Sequence, residues 1–262
     1  MNGAGNDFVM LDNRDLKLRL APGQIARLCD RHRGVGADGL LLAEPGANGK
    51  SDFRMHYFNA DGSEAEMCGN GARCFARFLQ KLGWQKPSVT FETLAGVIHA
   101  EYHGALVKLG MSAPHGLRLH DKVRTSYGEL AISSINTGVP HAIVFVENAD
   151  QTMVGPLGRE LRFHDHFKPK GTNVNFVQPL GADAIRVRTY ERGVEGETLA
   201  CGTGVCASAI IAHIVHATRP PVKVKVQGGD TLEVDFTVHG GEVRDVTLKG
   251  PADFVFDGAI DL

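Results

Sequence analysis

The sequence predicts an α+β fold of two pseudo-symmetric halves, each a mostly antiparallel β-sheet or barrel wrapped around a central helix. Three observations predict it. Short runs of alternating apolar and polar residues, cut by Gly, Pro, Asn and Asp, fill most of the 262 residues, which is the pattern of half-buried strands. One short phrase occurs twice, as Cys68-Gly69-Asn70-Gly71-Ala72 and, 133 positions later (68 to 201), as Cys201-Gly202-Thr203-Gly204-Val205. Each phrase runs into an apolar segment of helical character. The second segment (Val205, Ala207, Ala209, Ile210, Ile211, Ala212, Ile214, Val215) is apolar almost all round and must be buried on all sides. In a β-rich half-chain, a sheet curled around that helix buries it most simply.

Strands are expected at 40–42, 53–59, 88–93, 97–103, 106–111, 142–146, 185–190, 222–226, 231–238 and 243–249. Few are separated by long helical patterns, so antiparallel pairing should dominate. Three helices are expected. The first, 22–32, starts at a well-placed proline and stops at Gly34; the second, 69–82, stops at Gly83; the third, 203–217, stops before Arg219-Pro220-Pro221. The segment 159–170, rich in His and basic residues, reads as a solvated loop. The halves are expected at 1–115 and 116–250, joined near 113–122, with 251–262 completing the first.

Composition narrows the partners. Lys and Arg number 28 against 30 Asp and Glu, a net charge of −2, and no basic block occurs, which argues against nucleic acid and membrane surfaces. No secretory pattern and no apolar run of spanning length is present, so the expected location is cytoplasmic. Five cysteines (29, 68, 74, 201 and 206), an odd number, argue against a structural disulfide framework, and their spacings lack the two-residue gap of zinc pairs. No metal is expected.

The chemistry sits in the repeated phrase. A cysteine at a helix N-terminus lies at the positive end of the macrodipole, which raises its thiolate fraction. The glycines beyond it leave backbone N–H groups approachable, a natural cradle for a carboxylate. Two such cysteines can take a proton from one face of a carbon and return one to the other, with no cofactor. The bland alternative, that Cys68 and Cys201 are small buried hydrophobes, holds better for Cys29, Cys74 and Cys206, which lack that context. Gly34-Val35-Gly36-Ala37-Asp38-Gly39 matches a dinucleotide fingerprint, but it follows a helix and leads into a strand, the inverse of the required order. A thiol–disulfide oxidoreductase or a non-catalytic binding protein is disfavoured, since no Cys-x-x-Cys is present.

Longer stretches carry a family resemblance. Gly3-Ala4-Gly5-Asn6-Asp7-Phe8, Phe58-Asn59-Ala60-Asp61-Gly62-Ser63, Met67-Cys68 through Cys74, and Tyr190-Glu191-Arg192-Gly193 followed by Glu197 through Gly204 resemble diaminopimelate epimerases, over nearly the whole length. Proline racemases share the paired cysteines but are less similar, because their first phrase has histidine where this chain has Asn70. The alternative activities of the fold are a two-thiol racemase of proline or hydroxyproline and an isomerase of the phenazine type, whose members lack the cysteine pair.

The resemblance implies epimerisation of LL-2,6-diaminopimelate to the meso form, in the synthesis of lysine and peptidoglycan precursors, by a cofactor-independent homodimer. It implies Cys68 and Cys201 as the acid/base pair, with His141 beside the first and Glu191 beside the second. The backbone of Gly69, Asn70, Gly202 and Thr203 is implied to hold the reacting carboxylate. Asn6, Asn59, Asn173 and Arg192, with Glu191 also in contact with substrate, are implied to read the distal end. Asp38 has an implied supporting role nearby. Three departures stand out: Val139 where the family often has Asn, a 193–196 loop one residue longer than in many members, and a start several residues shorter than usual. The last means a mis-assigned or truncated start, or a lost edge strand.

Overall fold

A computed structural model describes residues 1–47 and 49–261. By their contacts they divide into two units: Met1–Gly110 with the chain's end from Gly250, and Met111–Lys249. The 251–262 segment expected to complete the first half includes residue 262, which lies outside the described residues.

In the first unit, seven strands are hydrogen-bonded in chain order: β1 (Asn2–Gly3), β2 (Asn6–Asp12), β3 (Gly39–Pro45), β4 (Phe53–Asn59), β5 (Ser88–Thr93), β6 (Gly96–His103) and β7 (Leu106–Gly110). Helix α1 (Pro22–Cys29) lies between β2 and β3 in the chain, and α2 (Gly69–Lys81) between β4 and β5. Strand β3 explains its own run of leucines. Leu40 and Leu42 pack with Ile25, Leu28 and Cys29 of α1, while Leu41 on the other face lies beside Gly71 of α2, so both faces are buried and no polar alternation survives. Helix α2 buries Ala72, Phe75, Ala76 and Leu79, with Phe75 edge-on to Phe91 of β5 at 4.9 Å.

The second unit begins with β8 (His115–Thr125), β9 (Gly128–Asn136) and β10 (Pro140–Phe145), followed by α3 (Val154–Phe163). Next come β11 (Asn173–Pro179), β12 (Ala184–Glu191), the short β13 (Gly196–Thr198) and α4 (Gly202–His216). The unit closes with β14 (Val222–Lys225), β15 (Thr231–His239) and β16 (Glu242–Pro251), the last two residues of which belong to the first unit. Its strands are bonded in the order β8-β9-β10-β11-β12-β14-β15-β16, with β13 paired to β12. Helix α4 packs against β9 to β12, β14 and β15, and it buries every residue from Gly204 to Ala212. Helix α3 covers the opposite face through Val154, Leu157 and Leu161, against Val144, Val174 and Phe176.

The duplication is visible in the strand pairings. From β2 through β7 they run parallel, antiparallel, parallel, antiparallel, antiparallel. From β10 through β12 and β14 to β16 the same sequence of pairings recurs. Each unit therefore places one helix before its second strand of this series and its Cys-Gly helix before the fourth.

Several expectations are corrected. The 159–170 segment is not a loop: 159–163 are the end of α3, and residues Asp165–Phe167 form a 3₁₀ turn. Apolar residues spaced as Val154, Leu157 and Leu161 bury one stripe; Arg159 falls between the last two and Arg162 just beyond them. The expected joint at 113–122 lies mostly inside β8. Helix α1 stops at Cys29 rather than 32, because the Asp30 carboxylate accepts the N–H groups of His32 and Arg33 and holds a turn. At the far end of α4, Ile214 is 37% exposed, so the helix is not buried all round in its last turn.

Candidate active site

Both cysteines of the repeated phrase are helix N-caps in the same extended conformation. Cys68 precedes α2 with φ −137° and ψ 122°, and Cys201 precedes α4 with φ −120° and ψ 107°. Each carbonyl accepts the first helical hydrogen bond, from Ala72 at 2.8 Å and Val205 at 2.9 Å. Gly69, Asn70, Gly202 and Thr203 are thus the first helical residues, where backbone N–H groups point out along the axis. Cys68 is half-buried and Cys201 is buried.

In the second unit, a hydrogen-bond chain runs from the sheet to Cys201. Asn175, fully buried on β11, spends its Oδ1 on the Thr189 hydroxyl at 2.9 Å. Its Nδ2 donates to the Ala142 carbonyl and to His141 Nδ1, both at 3.1 Å. A ring nitrogen that accepts leaves the proton on the other, so His141 Nε2–H donates to Thr203 Oγ1 at 2.9 Å. The Thr203 hydroxyl is then free to point its hydrogen at Cys201 Sγ, 3.6 Å away. Burial, with the charge of Arg192 adding to it, pushes the His141 pKa down to about 3 and keeps the imidazole neutral. The resemblance set His141 beside the first cysteine; its bonds within this unit run to the second phrase.

Three further candidates gather at the adjoining strand ends. The amide of Asn173 accepts the Arg192 N–H at 2.8 Å and donates to the Pro140 carbonyl at 3.3 Å. Glu191, at the end of β12, accepts from the Thr198 hydroxyl at 2.8 Å, and burial raises its carboxyl pKa above the usual range against that bond. The Arg192 guanidinium reaches the Lys170 carbonyl at 3.2 Å. The Glu191–Gly196 hairpin is tied to α3 by Glu195, whose Oε1 meets Arg162 Nη2 at 3.0 Å.

In the first unit, Asn70 donates from Nδ2 to Asn6 Oδ1 at 2.6 Å, which brings two of the candidates together. Asn59 is exposed at the end of β4, its Nδ2 donating to Ser63 Oγ at 3.1 Å across a tight turn. Sequence reasoning missed Asn175, Thr189 and Arg73. A signal for the first was present: Asn173 and Asn175 are two polar residues, two apart, at the start of a strand that continues Phe176-Val177, so they share a face.

The model of the Diaminopimelate epimerase family matches residues 1–114 and 133–255. The chain belongs to the diaminopimelate epimerase family. A diaminopimelate epimerase of Aquifex aeolicus is 46% identical over 272 residues, covering 99% of this chain and 96% of the relative. One of Archaeoglobus fulgidus is 42% identical over 277 residues, covering 100% and 95%. Among solved structures, a Bacillus anthracis phenazine biosynthesis protein of the PhzF family superposes with a TM-score of 0.73 at 18% identity, over 96% of this chain and 92% of that one. A hydroxyproline epimerase of Agrobacterium vitis with bound trans-4-OH-L-proline gives 0.63 at 21% identity, over 87% and 76%. At such identities the likeness speaks to fold alone. The family's fold is α+β, as expected. Among the described residues, no group of three or more His, Cys, Asp or Glu side chains could hold a metal ion, and no helix is long and apolar enough to cross a membrane.

Proposed function

We propose that this chain is an isomerase that epimerises LL-2,6-diaminopimelate to the meso form, with Cys68 and Cys201 as a two-thiol acid/base pair. The observation that carries the mechanism is the repeated N-cap: two cysteines in one conformation, each opening a Gly-rich first turn. One thiolate removes the α-proton and the other thiol delivers a proton to the opposite face of the carbanion, which inverts the centre. The first-turn N–H groups of Gly69, Asn70, Gly202 and Thr203 hold the carboxylate beside that carbon and take up charge as it becomes an enediolate.

The neutral His141 acts in this scheme as a hydrogen-bond donor. Through the Thr203 hydroxyl it steadies the anionic form of Cys201 without giving up its proton. Glu191, with its pKa raised by burial, exchanges a proton with a thiol more readily than an ordinary carboxylate would. Asn6, Asn59, Asn173 and Arg192 bind the distal ammonium and carboxylate, for which amides and a guanidinium are the suitable types. The same reading makes the enzyme cofactor-independent, cytoplasmic and a homodimer; sedimentation velocity measures the last.

Incubation with LL-diaminopimelate in deuterated water tests the reaction. The α-carbon should gain deuterium as the meso form appears, and C68A and C201A should each lower turnover by at least about 10²-fold. Normal turnover in either variant overturns the two-base scheme. Exchange with proline-type acids but not with diaminopimelate moves the assignment to the racemase branch of the fold.

A further inference from the structure

Arg73 directly follows the first phrase and is fully buried on α2, yet the scheme above gives it nothing to do. Its guanidinium donates to the carbonyls of Pro251 (Nε, 3.1 Å), Gly69 (Nη1, 3.4 Å) and Gly3 (Nη2, 3.3 Å), and from Nη2 to Asn70 Oδ1 at 2.9 Å. A guanidinium has donors and no acceptor, so the Asn70 atom it touches must be the oxygen. That turns Asn70 Nδ2 outward, where it donates to Asn6 Oδ1 at 2.6 Å. Asn6 must then present its nitrogen to the next partner, and it does, to Asp38 Oδ2 at 2.8 Å. A carboxylate accepts only, and the chain ends there. Asp38 is itself fixed: Arg31 Nη2 donates to its Oδ1 at 2.9 Å, while Arg31 also grips both oxygens of Asp7, at 2.8 and 2.9 Å.

We propose that Arg73 and Asp38 are positioning residues, the donor-only and acceptor-only ends of a one-way hydrogen-bond chain that fixes which way the amides of Asn6 and Asn70 point. The spacing that aligns Cys68 with Cys201 sets Val139 against Asn6 and Cys206 against Arg73, so the chain has no twin in the second half. Chemistry at the reacting carbon calls for like groups in both halves; recognition of the distal end calls for unlike ones. A fixed amide tells an ammonium, which needs the Oδ1 face, from a carboxylate, which needs the Nδ2 face. This function for the chain rests on the epimerase reading, whereas the fixed orientation itself does not.

Asp38 is exposed, so Asp38→Asn should fold, and its new amide can both donate and accept. With diaminopimelate, D38N should raise KM about ten-fold, the worth of one charge-assisted hydrogen bond, with kcat within about two-fold. In an Asn6→Ala background, D38N should add no further loss. In ligand-free, ¹⁵N-labelled protein, D38N and Arg73→Lys should each shift the side-chain NH₂ signals of both Asn6 and Asn70, because the bond between the two amides carries a change at either end to the other. An unchanged KM, additive losses in the double variant, or amide signals that move only at the mutated end would overturn the proposal. If the wild-type protein fails to turn over diaminopimelate, the epimerase reading fails, and the amide spectra still decide the chain.

Discussion

Burial keeps the His141 imidazole neutral down to a pKa of about 3, against 6.5 for the free side chain, and that has a consequence for stability. Between those values the unfolded chain binds a proton that the folded one refuses, so stability should fall as pH drops from about 6.5 toward 3. The slope from this residue is at most about 1.4 kcal/mol per pH unit. Ring signals of His141 should stay fixed in an NMR titration from pH 8 to 5, and His141→Asn should flatten the pH dependence of the denaturation midpoint; a ring that titrates near 6.5 would contradict the assignment. The same residue shows what a sequence conceals. The cysteine phrases were legible because they repeat, and their neighbours because they lie in the same phrases or motifs. Asn175 and Thr189 touch the site only through another side chain across the sheet, and no local pattern encodes a partner 34 or 14 positions away.

One substitution should have opposite effects in two helices. Glycine inside a helix costs about 0.5–1 kcal/mol relative to alanine, so Gly→Ala stabilises where space allows. In α1, a Cβ on Gly23 meets nothing within 4 Å, and Gly23→Ala should raise the melting temperature modestly. In α4, a Cβ on Gly204 would sit 2.4 Å from Asn175 Oδ1 and 3.3 Å from His141 Cε1. Gly204→Ala should therefore destabilise by about 1–3 kcal/mol, through the loss of buried hydrogen bonds, and cut turnover more than it cuts stability. A Gly204→Ala protein as stable and as active as its parent would mean that the Asn175–His141–Thr203 contacts are not close-packed. Thermal melts and turnover of the two variants, run side by side, give both readings. The two helices of the second unit were unequally visible in the sequence. Helix α4 announced itself by unbroken apolar character, whereas α3 was masked by Arg159 and Arg162, which follow directly on its buried positions Gly158 and Leu161.

Over the whole chain, the order of elements was readable because each half spells out the same series, but strand partners were not. Four pairings in the two units are parallel (β2 with β3, β4 with β5, β10 with β11, β12 with β14); three close through a helix that the local periodicity shows without naming the strand it returns to, and β10 with β11 closes through α3, which it hid. Helix positions also sort the five thiols into two kinds, which gives a test on the intact protein. Cys29 at the end of α1 is pushed up to about 11 by burial and by the nearby carboxylates of Asp7 and Asp38, and burial pushes Cys74 inside α2 up to about 12. Alkylation needs the thiolate, so at pH 8 each holds no more than about a thousandth of its population in reactive form. Cys206, inside α4, is fully buried. Cys68 is the half-buried N-cap of α2, so brief iodoacetamide treatment of the native protein at pH 8 should modify it first, and Cys201, 7% exposed, more slowly. Peptide mass mapping should find Cys29, Cys74 and Cys206 alkylated only after denaturation, and loss of turnover should track the Cys68 adduct. Labelling of Cys74 as fast as Cys68 would show that α2 opens in solution, and the N-cap would then have no special claim to the chemistry.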